Sequence, residues 1–179
     1  TVVDSEGRII GWHEWLGDDY NSQFESIADL IRDRYHGMKY LHCDATATQD
    51  MGVDMMRAAL MARGHPCKVV GIPFSQTSKD AMYKNLHRLM MKVTKKVDDK
   101  EVVVRDAIIS FPEKCPFNNQ KEKFIIQMTD LQKDIKNGKW VCNHPEGPQY
   151  HDDFPDSVAL ACYAFKPVTV PEANRWLIG

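Results

Sequence analysis

Near its end the chain reads His151-Asp152-Asp153-Phe154-Pro155-Asp156 and runs directly into Ser157-Val158-Ala159-Leu160-Ala161-Cys162-Tyr163-Ala164-Phe165. This stretch constrains the fold most, because it sets the start, the direction and the buried face of one helix. The apolar residues 158, 161, 162 and 165 share one helical face. Pro155 fits a first helical turn, where its missing N–H would have had no intrahelical partner. Residues 153 and 156 are three apart, so a helix starting at or just before Asp153 projects both carboxylates from the same side. Two readings follow. Aspartates at an N-cap and in the first turn satisfy orphan N–H groups and match the helix dipole, which accounts for one or two of the three. A third like charge is costly unless a cation or a proton neutralises it, which makes the cluster a candidate metal site.

Elsewhere the chain is ordinary. Its 179 residues, 43% hydrophobic and 27% charged, suffice for one domain with a proper core. No apolar run approaches the roughly 20 residues that span a bilayer, and the first residues form no basic-then-apolar signal. The five cysteines (Cys43, Cys67, Cys115, Cys142, Cys162) are far apart, odd in number and free of any C-x-x-C pair. That pattern points to reduced thiols in a cytoplasmic protein and away from structural zinc. A formal net charge of -2 gives no global attraction to nucleic acid, so such binding needs a local patch. Lys84 to Lys100 supplies one: Lys84, Arg88, Lys92, Lys95, Lys96 and Lys100 against Asp98 and Asp99, a net of +4. The patch reads either as a phosphate-binding face or as a solvated surface.

In chain order, Thr1–Val3 and Arg8–Trp15 flank a Gly-containing turn and predict a hairpin. Phe24, Ile27, Ala28, Ile31 and Tyr35 predict a helix capped by Asn21 or Ser22 and stopped at His36-Gly37. Met38–Cys43 predicts a buried strand ending in Asp44. The C-terminal end of a central strand is where an α/β sheet places ligands, although Asp44 also reads as a turn aspartate. Helix-like Gly52–Arg63 stops at Gly64, with its methionines as core filler. The strand 68–73 precedes a helix carrying Met82, Leu86, Leu89, Met90 and Val93. Strand and helix in alternation imply parallel pairing with right-handed crossovers. Residues 101–105 and 107–112 read as extended, and Asp98-Asp99-Lys100 suggests a ribbon projecting from the preceding helix. Phe124, Ile125, Met128, Leu131 and Ile135 predict a further helix ended by Asn137-Gly138. Trp140-Val141-Cys142 is a short strand, 143–150 a Pro/Gly-rich loop, and the stretch from Lys166 a linker or edge-packing arm.

The parts together resemble the ribonuclease H-like nuclease domain of viral (tailed bacteriophage) terminase large subunits. His-Asp-Asp-Phe-Pro-Asp-Ser-Val-Ala-Leu-Ala (151–161) is similar to that family's closing motif. Lys68-Val69-Val70-Gly71-Ile72-Pro73-Phe74-Ser75 resembles its middle strand and following loop. Leu41-His42-Cys43-Asp44, followed by Gly52 and a helix, fits the strand carrying its second acidic residue. The resemblance implies an α/β fold with a mixed central sheet, an antiparallel hairpin and helices on both faces. It makes residues 1–165 the nuclease domain and 166–179 a C-terminal tail. The hairpin matches the family's second and third strands, so the first strand and its aspartate are expected upstream of Thr1, with Asp4 a poor substitute and the fragment catalytically incomplete.

The implied activity is metal-dependent endonucleolytic cleavage of concatemeric double-stranded viral DNA during packaging, in the host cytoplasm. The implied partners are DNA, an upstream ATPase motor domain, the portal and the small terminase subunit, with no membrane. No G-x-x-x-x-G-K-[ST] loop occurs in these residues. In-line phosphodiester hydrolysis benefits from two Mg²⁺ or Mn²⁺ ions roughly 3.5–4 Å apart, held by carboxylates. The resemblance gives Asp44 and Asp153 bridging and terminal ligand roles, with Asp156 or Asp152 on the second ion and His151 orienting a carboxylate or water. Asp44, Asp153 and Asp156 are then the catalytic set. Lys79, Lys84, Arg88, Lys92, Lys95 and Lys96 are the expected contacts to the DNA backbone. A resolvase or strand transferase of the same superfamily would use the same acidic set, and a non-catalytic DNA-gripping module would leave it as helix capping. A serine or cysteine hydrolase is disfavoured, since no G-x-S-x-G occurs.

Overall fold

The computed structural model describes residues 1–15, 17, 19–46, 51–111, 121–147 and 150–165. The expected tail 166–179 lies outside the described residues, as does Cys115. Among the described residues the fold is mixed α/β with five helices and short two-stranded sheets.

The chain opens as expected with an antiparallel hairpin, β1 (Val2–Val3) and β2 (Ile9–Gly11). Helix α1 (Tyr20–Arg34) starts earlier than Asn21 or Ser22 would set it. Asp19 is the N-cap, accepting from the backbone N–H of Asn21 at 2.9 Å and of Ser22 at 3.1 Å. The Ser22 hydroxyl donates to Asp19 Oδ2 at 2.7 Å, so the expected cap residue is itself a partner of the cap. Helix α2 (Met51–Ala62) stops before Gly64, whose φ of +66° suits a residue without Cβ. Between α1 and α2 the buried residues Ala28, Ile31, Val53, Met56, Leu60 and Val69 form one apolar cluster. Arg63 clamps its rim through Asp29 at 2.8 Å and Glu25 at 2.5 Å.

Strands β3 (Tyr40–Asp44) and β4 (Lys68–Ile72) pair in parallel, with Asp44 opposite Ile72. The α2 connection between them makes this the expected βαβ unit. From β4 the chain enters α3 (Gln76–Met90), capped by the Ser75 hydroxyl accepting from Ser78 N–H. Met82, Tyr83, Leu86 and Leu89 face inward from α3. The projecting ribbon is present as β5 (Val93–Val97) and β6 (Lys100–Arg105). Its turn residues Asp98 and Asp99 both have positive φ, 49° and 60°, the left-handed geometry of a two-residue hairpin turn. Exposed Val93, Val102 and Val103 put this ribbon outside the core.

The helix expected over Phe124 to Ile135 is shorter, and this is a correction. Helix α4 (Lys121–Asp130) ends before Leu131, and β7 (Gln132–Lys136) pairs with β8 (Lys139–Asn143). Asn137 and Gly138, with φ of 52° and 75°, form the hairpin turn rather than a helix stop. Asn-Gly tolerates two successive left-handed residues, and that chemistry prevails over the four-residue spacing of Leu131 and Ile135. The hairpin docks on α3 where Trp140 N–H donates to Asp80 Oδ1 at 2.7 Å.

The final helix, α5 (Asp153–Ala161), buries Phe154, Pro155, Val158, Ala159 and Leu160. It completes the larger core with Trp12, Met82, Leu86, Leu89 and Phe124, and the Trp12 and Phe124 ring centroids are 4.6 Å apart. Among the described residues the strands form four separate pairs rather than one central sheet. α5 touches both ends of the break. The Ser157 hydroxyl donates to Thr1 Oγ1 at 3.0 Å, and His42 Nδ1 donates to the Leu160 carbonyl at 3.0 Å. A helix has no free edge to extend a ladder, so packing replaces pairing between these strands. No helix among the described residues is long and apolar enough to cross a membrane.

Candidate functional site

The N-terminus of α5 is not held by its aspartates. Asp152 occupies the N-cap position but makes no side-chain cap hydrogen bond. Phe154 N–H donates instead to Gln127 Oε1 at 2.9 Å, and Gln127, on α4, is only 5% exposed. One orphan N–H of the helix start is thus met from another element, while Asp153 and Asp156 stay in its first turn, where they match the helix dipole.

Asp156 points at α3. Its Oδ1 accepts from the Tyr83 hydroxyl at 2.6 Å, and its Oδ2 lies 2.8 Å from Lys79 Nζ. The same ammonium is 3.9 Å from Asp152 Oδ2. Lys79 and Tyr83 are four apart on α3 and so share a face. Burial pushes the Asp156 carboxyl above its ordinary value, against the opposing pull of Lys79 and the Tyr83 hydroxyl. Burial and the adjacent Asp156 charge together push the Tyr83 phenol strongly upward, so it stays a donor.

Asp44 ends β3 in an exposed turn. Its Oδ1 accepts from the Thr46 N–H at 2.8 Å and the Thr46 hydroxyl at 2.6 Å. The turn-aspartate reading therefore describes one of its two oxygens. Thr46 Oγ1 in turn accepts from Phe74 N–H at 2.6 Å, and the Phe74 ring centroid is 5.4 Å from Lys79 Nζ. Through Thr46, Phe74 and Lys79, Asp44 and Asp156 lie at the same end of the β3/β4 pair, where the strands finish and α3 begins.

The remaining expected site residues are less gathered. Asp153 and His151 are exposed, and neither makes a side-chain hydrogen bond or ion pair among the described residues. Among those residues no three His, Cys, Asp or Glu side chains form a metal-ligating group. Asp152 and Asp156 do share one cation, the Lys79 ammonium. Asp44 and Asp153 stand outside that contact.

Of the expected DNA contacts, Lys79 is engaged in this acidic group. Lys84 pairs with Asp80 at 2.7 Å and lies 6.0 Å from the Trp140 ring centroid. Lys92 and Lys96 are exposed at the base and tip of the ribbon, beside Asp106 and Asp99. Arg88 is exposed on α3, and the Lys95 side chain lies outside the described residues. Tyr83, Gln127 and Thr46 are site residues that sequence reasoning missed. Only Tyr83 carried a signal, its four-residue spacing from Lys79. No family model, curated protein or solved structure matches this chain.

Proposed function

We propose that this chain is a ribonuclease H-like, metal-dependent endonuclease domain acting on double-stranded DNA, of the terminase large-subunit kind. The observation that carries the reading is the convergence of Asp152, Asp156, Lys79 and Tyr83 beside the strand end that bears Asp44. Strand ends abutting helix N-termini are where α/β folds bind ligands, and two helix starts, those of α3 and α5, meet here.

In this reading Asp156 and Asp152 hold a divalent cation, Asp44 offers its unbonded Oδ2, and Asp153 lies at the rim. Mg²⁺ or Mn²⁺ bound at such carboxylates activates water and stabilises the leaving oxygen. Tyr83 holds Asp156 in one orientation by donating to Oδ1, which leaves Oδ2 to face the cation. Gln127 fixes the start of α5 and so the height of both carboxylates. Exposed Lys92 and Lys96 on the β5/β6 ribbon reach phosphates outside the cleft, which offsets the acidic net charge locally.

A DNA-gripping module without catalysis is the second reading, favoured by the same ion pair, since Lys79 already neutralises Asp156. The deciding experiment is a plasmid nicking and linearisation assay with Mn²⁺ or Mg²⁺. It compares the wild-type chain with Asp44→Asn and Asp156→Asn variants. Cutting that each substitution lowers by about 100-fold or more supports the endonuclease, since loss of a metal ligand costs several kcal/mol of transition-state stabilisation. Undiminished cutting by both variants removes the site assignment. DNA binding with no cutting under any metal puts the gripping module first.

A further inference from the structure

The β5/β6 ribbon has less to hold it than the strands packed on the core. No other described strand pairs with either of its edges, and no backbone hydrogen bond joins it to another described element. Val102 and Val103 are 47% and 53% exposed. A lone two-stranded hairpin is marginally stable in water, and an open edge is a template for a further strand. Charge and register decide which strand fits.

The two edges differ. Along β5, antiparallel pairing with a second β5 centred on Thr94, Lys95 or Lys96 always puts lysine opposite lysine, which protects that edge. β6 and the residue after it read Lys100-Glu101-Val102-Val103-Val104-Arg105-Asp106. Centred on Val103, antiparallel self-pairing puts Lys100 opposite Asp106, Glu101 opposite Arg105 and Val102 opposite Val104. Centring on Val102 or Val104 instead sets charges against valines. The backbone favours the same centre. The turn at Asp98 and Asp99 has two residues, so its flanking pair, Val97 and Lys100, bonds inward. Alternation then aims the N–H and C=O groups of Glu101 and Val103 at the open side. The register shift between Val93 and Thr94 lies beyond Val103, toward the base of the ribbon.

We propose that β6 is a self-association edge: two copies of this chain join antiparallel about a two-fold axis through Val103 and form a four-stranded sheet, β5-β6-β6-β5. The contact is isologous, so each opposite-charge pair occurs twice. The ion pair of Asp106 with Lys92, at 3.5 Å between exposed side chains, is a weak competitor. The lysine-bearing β5 strands become the outer edges of the sheet, about 14 Å apart at ordinary strand spacing. The acidic group at α5 takes no part in this edge.

The test is sedimentation equilibrium of the full chain from micromolar to about 0.5 mM, because so short an edge buries less area than a stable interface and the dimer is a weak one. Wild type is expected to pass from monomer to dimer and stop there, since a two-fold contact closes on itself. Lys100→Glu and Asp106→Lys each put like charges opposite one another and are expected to weaken the dimer about tenfold or more. Within the ribbon Lys100 faces only Val97, so its substitution leaves no like-charge pair there. The double variant Lys100→Glu/Asp106→Lys restores the opposite-charge pairs and is expected within about threefold of wild type. Val103→Pro removes the N–H at the axis and is expected to be monomeric, with a thermal melt to check that the core stays folded. Hydrogen exchange reads the register, with the Glu101 and Val103 amides slowing as concentration rises. A wild type that stays monomeric at the highest concentration overturns the proposal, and ribbon amides that then slow only with duplex DNA give the edge to nucleic acid. A dimer that the single variants leave unchanged, or a double variant no tighter than the singles, overturns it as well.

Discussion

Gln127 is expected to be worth more to this protein than a lone glutamine on α4 suggests. Its Oε1 accepts the Phe154 N–H at 2.9 Å, and both residues are 5% exposed. Gln127→Met keeps nearly the same side-chain length and removes the acceptor. The Phe154 N–H is then a buried donor with no partner, which costs about 1–3 kcal/mol, while the thioether regains part of that by being easier to bury than an amide. A net loss of about 1–2 kcal/mol follows. With a urea m-value of about 2 kcal/mol/M for a domain of this size, the unfolding midpoint falls by about 0.5–1 M at constant m. Urea titration followed by far-UV circular dichroism and tryptophan fluorescence measures it. Gln127→Ala should fall further, because it also leaves a cavity. A Gln127→Met midpoint equal to wild type would mean that Gln127 does not hold the start of α5, and the account of how Asp152 and Asp156 are positioned would fail with it.

Two further outcomes test the frame around the site. A Cβ on Gly71 would lie 2.7 Å from Val53 Cγ2 and 3.0 Å from Ala45 Cβ, so Gly71→Ala should force α2 off β4 and cost about 1–3 kcal/mol. An unchanged urea midpoint would show that the α2 packing yields freely. On the other side of α2, the Arg63 guanidinium hydrogen-bonded to Asp29 holds that carboxyl below its ordinary value of 3.8. A depressed folded value means that the contribution is present above pH 3.8 and is lost as pH falls through the lower folded value. Asp29→Asn should therefore flatten the acid limb of a plot of melting temperature against pH below about 4. Superimposable acid limbs would refute the clamp.

Helices were readable wherever one face is buried. Phe24, Ile27, Ala28 and Ile31, or Met82, Leu86 and Leu89, repeat at helical spacing because the core demands it. Helix ends were less readable, since Asp19 and Ser22 are both good caps and only geometry shows which accepts. β7 was missed for a physical reason: all five of its residues are exposed, so no core enforces a two-residue alternation. Leu131 and Ile135 then imitate a helical face. At the site, the spacing of Asp153 and Asp156 was legible and the partners of Asp156 were not. Tyr83 is 73 residues away and Gln127 meets Phe154 across 27, contacts that only the packing of α3 and α4 on α5 creates. The single central sheet was implied by the family resemblance, and the described strands pair only two by two.

The direction in which each aspartate is shifted separates frame from candidate chemistry. Hydrogen bonds from Arg63, from Arg32 and from Ser22 lead the effects that lower Asp29, Asp33 and Asp19, so folding favours their charged forms. Asp156 goes the other way. Burial raises it above 3.8 even with Lys79 and Tyr83 bonded to it. By the sign of the linkage, its contribution to stability is complete below pH 3.8 and is lost as pH rises through the folded value. Among the described aspartates with a resolved shift, it alone is raised. Tyr83 and Lys79 oppose that rise without cancelling it. A carboxylate whose charged form burial disfavours, held by a lysine and a tyrosine from another helix, marks Asp156 out from the other shifted aspartates as the candidate for binding or chemistry.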